Sequence, residues 1–317
     1  MAQGLTAIEG VKVGVASNLD GATGVTVILV EEGARAAVEV RGSAPGTRET
    51  DLLQPGRLVQ EIQAIVLAGG SAYGLNAACG VMNYLEERES GFMVGTLAIP
   101  IVPSAVLFDL FVGDSAARPD QKMGYEACVN ANNGPVPEGC VGAGTGATVA
   151  KINGMAGAIK SGQGSAALTR GELIVAALVA VNAFGDIYGA SGELIAGPLN
   201  SKSGSMERTV DLILGKNLEG FPGNTTLGVV ATNAALQSAE LNKICQLAHD
   251  GLARSIWPVH TMWDGDTVFA LSKGDLTADI NLIGLMAAEA IETAVRRAVM
   301  TATSLAGIPA LTDIASN

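Results

Sequence analysis

The tetrapeptide Gly223-Asn224-Thr225-Thr226 connects a polar, glycine-rich stretch to an apolar segment that is typical of a buried strand. If the bond before Thr225 were cut, a new chain would begin with a hydroxyl and a free amine on one residue. A threonine hydroxyl is a weak nucleophile until a base removes its proton, and an α-amine with a pKa near roughly 8 can do this within the same residue. The structural alternative is a β-turn that leads into a strand.

Two carboxylates follow about forty residues later, where Asp264 and Asp266 flank a glycine in a predicted turn. They could hold the ammonium form of a new terminus, coordinate a divalent cation, or simply form an Asx turn. A cation site is disfavoured because the segment after Asp266 becomes apolar at once and supplies too few oxygen ligands. The sequence therefore predicts that both aspartates act on the Thr225 terminus and that no metal is bound.

A lysine, Lys151, ends the apolar and glycine-rich segment VGAGTGATVAK. Its ammonium could neutralise developing negative charge or lower the pKa of a neighbouring amine, and the alternative is a strand-end lysine that reaches solvent. The glycine run of residues 142–147 partly matches a dinucleotide-binding fingerprint. However, it leads into a β-rich segment, and no acidic residue follows at the spacing that ribose binding requires.

Patterns of the serine hydrolases are weak in this chain. Ser71 is followed by Tyr73 where a nucleophile elbow needs glycine, so a helix cap is the expected role of Ser71. His249 and His260 are the only histidines. Only His260 lies near the proposed site in sequence, which leaves a Ser-His-Asp triad with a single plausible base.

Composition predicts a globular protein with a large core, because 48% of the 317 residues are hydrophobic and only 16% are charged. The net charge of −12 repels phosphate backbones and anionic lipid surfaces, so neither nucleic acid nor a membrane is an expected partner. No apolar stretch reaches the roughly 18 residues of a membrane helix, and no signal peptide is evident. A cytoplasmic location is the resulting expectation.

The low proportion of charge has a second consequence, which is that some apolar surface should be covered by other subunits. We therefore expect a homo-oligomer, with a tetramer of processed protomers as the predicted state. The four cysteines are scattered without a CxxC pair. They are expected to be reduced thiols that form neither disulfides nor a zinc site.

Hydrophobic periodicity predicts one layered α/β domain that spans residues 1–317. Residues 172–183 are so continuously apolar that both faces of this strand must be covered, which implies layers above and below it. A helix over residues 73–89 is expected to follow Ser71, and residues 189–222 to be exposed. The other predicted elements are a hairpin of residues 11–15 and 25–30, strands at 35–41, 63–68, 145–151, 155–160, 226–233 and 267–272, and helices at 238–254 and 279–306.

Five segments in order carry a family resemblance: GGSAYGL (69–75), GAGTGATVAK (142–151), VAVNAFG (179–185), GNTTLGVVATN (223–233) and HTMWDGDTVFAL (260–271). With them the chain resembles the DmpA-type aminopeptidases, and among these most closely the nylon-oligomer (6-aminohexanoate oligomer) hydrolases. The resemblance extends from about residue 8 to about residue 300. Its most specific part is GNTT followed by HTxxDGDT.

The resemblance implies an αββα four-layer sandwich of the DmpA and ornithine-acetyltransferase type, which is N-terminal-nucleophile-like. It also implies a precursor that cleaves itself between Asn224 and Thr225, leaving a large subunit (1–224) and a small subunit (225–317) associated. Thr225 would be the nucleophile, and no cofactor would be needed. Lys151, Asn182, Asp264 and Asp266 would surround Thr225, and Asn182 would stabilise the oxyanion of the tetrahedral intermediate.

The implied substrates are short peptides or linear aliphatic amides such as 6-aminohexanoate oligomers. An aminopeptidase or esterase of natural L-, D- or β-amino acid amides is the alternative, and a non-processing binding or assembly protein of the same fold is the alternative from another class. Some relatives place a tyrosine hydroxyl in the site where this chain has Phe108. Others use serine as the nucleophile, so Thr225 favours the nylon-hydrolase branch.

Overall fold

The computed structural model describes residues 4–215 and 223–314. Within these ranges the chain forms sixteen strands, six α-helices and several short 3₁₀ turns. The strands are β1 (Lys12–Asn18), β2 (Thr23–Val40), β3 (Gly46–Arg48), β4 (Glu61–Ala68), β5 (Phe92–Val94), β6 (Leu97–Ile99), β7 (Ser104–Val106), β8 (Thr148–Val149), β9 (Ile159–Lys160), β10 (Gln163–Arg170), β11 (Leu173–Asn182), β12 (Asp186–Tyr188), β13 (Leu194–Ala196), β14 (Thr225–Ala234), β15 (Ile256–Trp257) and β16 (Thr267–Leu276). The α-helices are α1 (Ala77–Glu86), α2 (Gln121–Val129), α3 (Thr209–Leu214), α4 (Ser238–Ser255), α5 (Ile280–Met300) and α6 (Leu311–Ile314).

Nine of these strands form one large sheet in the order β10-β11-β14-β16-β2-β4-β7-β3, and β1 also pairs with β2. The long strand β2 has different neighbours along its length. Its first half pairs with β1 and β4, and its second half pairs with β16. A register shift in the pairing with β4 lies between Leu29 and Ala34. The sheet therefore divides at β2 into two halves.

The two halves of the sheet pack face to face around a shared apolar core. Leu178 of β11 and Phe269 of β16 lie in the same buried cluster as Ile28 of β2 and Ile65 of β4. Because successive side chains of a strand point to opposite faces, their neighbours in each strand point away from this core. Each half of the sheet thus has an outer face that also has to be covered.

Helices cover both outer faces. On one side α4 and α5 pack against the half that contains β11 and β14, where Val179 and Val230 join Ile244 and Ile291 in one buried cluster. On the other side α1 and α2 cover β2 and β4. The layer order of helix, sheet, sheet, helix is an αββα four-layer sandwich, as predicted. No helix of residues 4–215 and 223–314 is long and apolar enough to cross a bilayer.

Several predicted elements are confirmed within one to four residues at most ends, among them β11, β14, α4 and the β1–β2 hairpin. The prediction of two separate strands at 25–30 and 35–41 is wrong, because both belong to β2, although the register with β4 shifts between Leu29 and Ala34. The cap at Ser71 is also wrong: Ser71–Asn76 is a 3₁₀ turn, Ser71 has a φ of 52° and α1 begins only at Ala77. The strand β10 was not predicted. Residues 189–222, expected to be exposed, include β13 and α3, and the prediction for 216–222 lies outside the described residues.

Gly124 of α2 lies where this helix comes closest to α1. A Cβ added at Gly124 would lie 2.0 Å from the carbonyl oxygen of Ala77. At an exposed position inside a helix, replacing Gly by Ala stabilises the helix by roughly 1 kcal/mol. Gly124→Ala should instead destabilise the fold by about 1–3 kcal/mol, because the helices must separate.

Equilibrium denaturation measures this change in the free energy of unfolding. Lys122 lies on the exposed side of the same helix, so Lys122→Ala should be more stable than Lys122→Gly by the ordinary helix propensity difference. A Gly124→Ala protein that is as stable as the parent would contradict the close contact.

Candidate active site

The candidate site lies where three strands of one half-sheet meet. Thr225 is the first residue of β14, and it is paired with Asn182, the last residue of the antiparallel neighbour β11. On the other side β14 pairs in parallel with β16. An isolated bridge between Asn224, one residue before β14, and Asp264, three residues before β16, continues this pairing. The sheet ladder therefore places the predicted nucleophile, Asn182 and the aspartate segment side by side.

Thr225 is almost completely buried, with 4% of its surface exposed. Its Oγ1 donates a hydrogen bond to the carbonyl oxygen of Asn224, the residue immediately before it. The same carbonyl oxygen accepts the N–H of Gly265 at 2.9 Å. The hydroxyl of Thr225 thus lies against the carbonyl group of the peptide bond that the sequence marks for cleavage.

Lys151 and Asn182 form a buried pair beside this peptide. The Nζ of Lys151 donates to Oδ1 of Asn182 at 2.7 Å and to its main-chain oxygen at 3.1 Å. The N–H of Thr148 donates to the same Oδ1 at 3.1 Å. Because the Oδ1 of Asn182 is held in this way, its Nδ2 points to the carbonyl oxygens of Phe108 (2.8 Å) and Gly223 (3.2 Å).

Lys151 also reaches the carbonyl oxygen of Gly223, at 3.3 Å. Burial lowers the pKa of Lys151 to about 7, and this effect outweighs the opposing attraction of the Asp264 and Asp109 carboxylates. A lysine with such a pKa exchanges its proton near neutral pH, so it can act as an ammonium donor or as a neutral amine.

The two aspartates are held by groups other than Thr225. Asp264 accepts the N–H of Phe184 at 3.3 Å, and the N–H and hydroxyl of Thr261 at 3.0 and 2.5 Å. Burial and the nearby charge of Asp266 raise the pKa of Asp264 to about 6.

Asp266 accepts the N–H of Thr226 at 2.7 Å through Oδ1. Its Oδ2 contacts the main-chain nitrogen of His260 at 3.1 Å and Nδ1 of the same residue at 2.7 Å. In the intact chain Asp266 therefore positions the residue that follows Thr225 rather than Thr225 itself.

A cavity of about 240 Å³ opens onto this peptide. Phe108, the position where some relatives carry tyrosine, lies in its wall and stacks edge-on against Phe111 with the ring centroids 4.8 Å apart. None of the described lining residues is ionisable. They are Ala44, Pro45, Gly46, Ser71, Ala72, Val106, Leu107, Phe108, Gly223, Asn224, Thr225 and Trp263.

All five predicted site residues are thus brought to one end of the half-sheet. Sequence reasoning did not find the main-chain N–H groups of Gly265 and Thr148, because a backbone donor leaves no signature of residue type. It also did not find the clamp that Thr261 places on Asp264. Within residues 4–215 and 223–314 no group of three or more His, Cys, Asp and Glu side chains is arranged to hold a metal ion.

Two solved structures share the fold of this protein. A beta-aminopeptidase from Burkholderia sp. superposes with a TM-score of 0.74 at 20% identity, covering 100% of this chain and 94% of the other. The L-aminopeptidase D-Ala-esterase/amidase from Ochrobactrum anthropi, described as a variant of the Ntn hydrolase fold, gives 0.73 at 18% identity over 97% and 88%. The protein therefore has the fold of the N-terminal-nucleophile aminopeptidases.

Sequence comparisons give the family. The family model of Peptidase family S58 matches residues 3–312. An uncharacterized aminopeptidase of Mycobacterium leprae is 42% identical over 340 aligned positions, which cover 96% of this chain and 92% of the relative. A 6-aminohexanoate-oligomer endohydrolase of Kocuria sp. is 34% identical over 307 positions, covering 91% and 84%. The chain belongs to peptidase family S58 and is a hydrolase of peptide or amide bonds.

The buried position of Lys151 predicts how stability depends on pH. Its pKa is about 7 in the folded protein and roughly 10.4 in an unfolded chain. Between these values the unfolded chain binds more protons, so stability should rise with pH from about 7 to about 10. Below pH 7 the full cost of the buried charge remains, at about 1.4 kcal/mol per pKa unit.

Lys151→Met should reduce this rise, which urea denaturation at several pH values would measure. Part of the rise should remain, because burial also lowers the pKa of Lys160, to about 8. Both proteins should carry Thr225→Val, so that their covalent state is the same whatever happens at the Asn224–Thr225 bond. Lys122→Met, an exposed position, serves as the control and should leave the pH dependence unchanged. A Lys151→Met protein whose stability rises as steeply as that of the parent would show that Lys151 does not contribute to the rise.

Proposed function

We propose that the protein is a self-processing amide hydrolase whose nucleophile is Thr225. The observation that carries this proposal is the contact of the buried Thr225 hydroxyl with the carbonyl group of Asn224. Cleavage of this peptide bond would divide the chain into residues 1–224 and 225–317. The two products would remain associated, because β14 is paired with β11 from the first product and with β16 from its own.

Self-cleavage would proceed as an N-to-O acyl shift. The Oγ1 of Thr225 attacks the carbonyl carbon of Asn224, the C–N bond breaks, and the proton lost by the hydroxyl ends on the leaving nitrogen. Water then hydrolyses the ester, which leaves a carboxylate on Asn224 and restores the hydroxyl of Thr225. The new α-amine of Thr225 is the base that the intact chain lacks at this position.

Turnover would use the groups that contact Gly223 in the intact chain. Once residue 224 is a free terminus and the preceding segment withdraws, Nδ2 of Asn182 and Nζ of Lys151 can bind the carbonyl oxygen of a substrate. Two preorganised donors in a water-poor site stabilise the oxyanion of the tetrahedral intermediate. A Lys151 ammonium would also lower the pKa of the Thr225 amine and keep it in its basic form.

The aspartates would hold this arrangement in place. Asp266 fixes the main chain at Thr226, and Asp264 stands near Lys151, where its charge favours the ammonium form. After cleavage the new amine of Thr225 would lie beside both carboxylates, which would stabilise the ammonium that forms when the amine takes the proton of the hydroxyl. This charge pairing supports a chemistry that needs neither metal nor organic cofactor.

The substrate class follows from the cavity and the overall charge. The described walls of the cavity carry no ionisable side chain, so the acyl group near Thr225 should be neutral and apolar. The net charge of −12 attracts cationic molecules. A linear amide whose amine is separated from the carbonyl by several methylenes satisfies both conditions, as in the 6-aminohexanoate oligomers named for the relatives at 34% identity.

An aminopeptidase acting on α- or β-amino acid amides is the second candidate. It is favoured by the name of the mycobacterial relative at 42% identity. A binding or assembly protein that has lost processing is the third, and it is disfavoured because all five site residues are present and in contact with one another or with the Gly223-Thr226 segment. Assembly into a homo-oligomeric tetramer and a cytoplasmic location stay predictions.

The first test concerns processing. Purified parent protein should separate into two chains on denaturing electrophoresis, and the smaller chain should begin at Thr225 by N-terminal sequencing. Thr225→Val should remain a single, inactive chain, because it keeps the shape of the side chain and lacks the nucleophile. Thr225→Ser should still be processed, since a hydroxyl is present.

Thr226→Val is the matched control for this test. Within the described residues the hydroxyl of Thr226 is buried without a hydrogen-bond partner, so its removal should leave processing intact. Processing of Thr225→Val, or a parent that remains one chain after long incubation, would refute the proposed nucleophile.

The second test concerns the substrate. In a series of ω-amino acyl anilides with one to five methylenes between amine and carbonyl, kcat/KM should increase with length. Each buried methylene contributes about 0.8 kcal/mol, which corresponds to about fourfold in kcat/KM. An N-acetylated copy of the longest compound, which is uncharged, serves as the control and should react more slowly at low ionic strength. If the shortest compound reacts fastest, the aminopeptidase alternative is correct.

A further inference from the structure

The carbonyl oxygen of Asn224 has a second contact that the proposed mechanism has not used. The main-chain N–H of Gly265 donates to it at 2.9 Å. This is the oxygen that would become the oxyanion if Oγ1 of Thr225 attacked the carbonyl carbon. A donor at this distance from the developing charge is the geometric requirement for an oxyanion hole.

The Gly265 donor is fixed on both sides by backbone hydrogen bonds. The carbonyl oxygen of Asp264 accepts the N–H of Ala44 at 2.9 Å, and that of Asp266 accepts the N–H groups of Arg41 (3.0 Å) and Gly42 (3.2 Å). The side chains of both aspartates are anchored as well, to Thr261 and Thr226 among others. The donor is therefore preorganised and does not need to move during the reaction.

Only glycine fits at this position. A Cβ on residue 265 would lie 2.6 Å from the carbonyl oxygen of Ala44 and 2.7 Å from Oγ1 of Thr225. Any side chain would push the hydroxyl away from the peptide that it has to attack. The close approach of Gly265 therefore serves the nucleophile and the carbonyl oxygen together.

Asn182, by contrast, is engaged elsewhere in the intact chain. Its Nδ2 donates to the carbonyl oxygens of Phe108 and Gly223, and Nζ of Lys151 also contacts Gly223. These donors thus serve the carbonyl one residue before the bond that would be cut. The contacts in the precursor assign the two neighbouring carbonyl groups to different donors.

We propose that the N–H of Gly265 is the oxyanion donor of self-cleavage, whereas Asn182 and Lys151 serve turnover of external substrate. This inference rests on the proposed function of Thr225. When Oγ1 adds to the carbonyl carbon of Asn224, the C=O electron pair moves to the oxygen that Gly265 holds. It returns as the C–N bond breaks and the nitrogen takes the proton.

The experiment replaces the amide of Gly265 by an ester, through incorporation of glycolic acid at position 265 in the full-length chain. This removes one N–H and adds no side chain. The first-order rate of chain cleavage should fall about 10²–10³-fold, the loss typical of one oxyanion donor. Intact mass separates cleavage before Thr225 from hydrolysis of the inserted ester.

The same replacement at Gly42 is the matched control. Gly42 also donates its N–H to the aspartate segment, at 3.2 Å to the carbonyl oxygen of Asp266, but not to Asn224. Its ester should be processed at nearly the parent rate, because the N–H of Arg41 still donates to the same oxygen at 3.0 Å. Molecules of the 265 ester that have been cleaved after long incubation should turn over substrate at nearly the parent kcat, because Asn182 and Lys151 are intact.

The outcomes separate this inference from the proposed function. Suppose that the parent is cleaved and Thr225→Val is not. If the 265 ester is then cleaved at the parent rate, or no more slowly than the 42 ester, only the role of Gly265 is wrong. If the 265 ester loses kcat as strongly as it loses cleavage, the division between the two donor sets is wrong. If the parent is never cleaved, the proposed function fails together with this inference.

Discussion

The arrangement around Thr225 depends on Lys151, a buried ammonium group that needs hydrogen-bond acceptors. Lys151 is shielded from water on all sides, so its three donors must find acceptors in the protein, and they find them on Asn182 and Gly223. This fixes the amide of Asn182 in one orientation, with its oxygen toward Lys151 and its nitrogen toward Gly223. The chain before Thr225 is thus held by the charge that the later chemistry would need.

The four-layer sandwich fixes the positions of Asn182 and Thr225 relative to each other. Asn182 and Thr225 are cross-strand partners in a ladder whose strands are covered on both faces, so neither can shift without moving the core. The register is tightly specified because a slip by one residue would exchange the helix-facing and sheet-facing side chains of β11 and β14. The functional groups stand at strand ends, where the ladder stops and a cavity begins. A rigid sheet therefore supports groups whose pKa values are far from ordinary.

The sequence predicted much of this frame because its signals are local. The apolar run that became β11 and the periodic helix that became α4 differ from their surroundings in composition, and the αββα layers followed from a family resemblance carried by five motifs. The continuity of β2 could not be predicted, because Glu31-Glu32-Gly33 has the composition of a turn. The strand stays continuous because the residues on either side pair with β1, β4 and β16. Two further features depend on tertiary contacts and could not be predicted from residue types. They are the turn at Ser71, with its positive φ, and the N–H donor of Gly265.

The intact chain passes through the candidate site, and this explains why a glycine precedes the Asn224–Thr225 peptide. Gly223 has a φ of 111°, and a Cβ there would lie 2.7 Å from the ring of Phe108, so only glycine allows the chain to pass between Phe108 and Lys151. In that position its carbonyl oxygen takes the donors of Asn182 and Lys151. On the proposed mechanism a single cut therefore does two things. It creates the amine that activates Thr225, and it releases the donors that a substrate carbonyl needs, so activity before processing is prevented by occupancy as well as by the missing base.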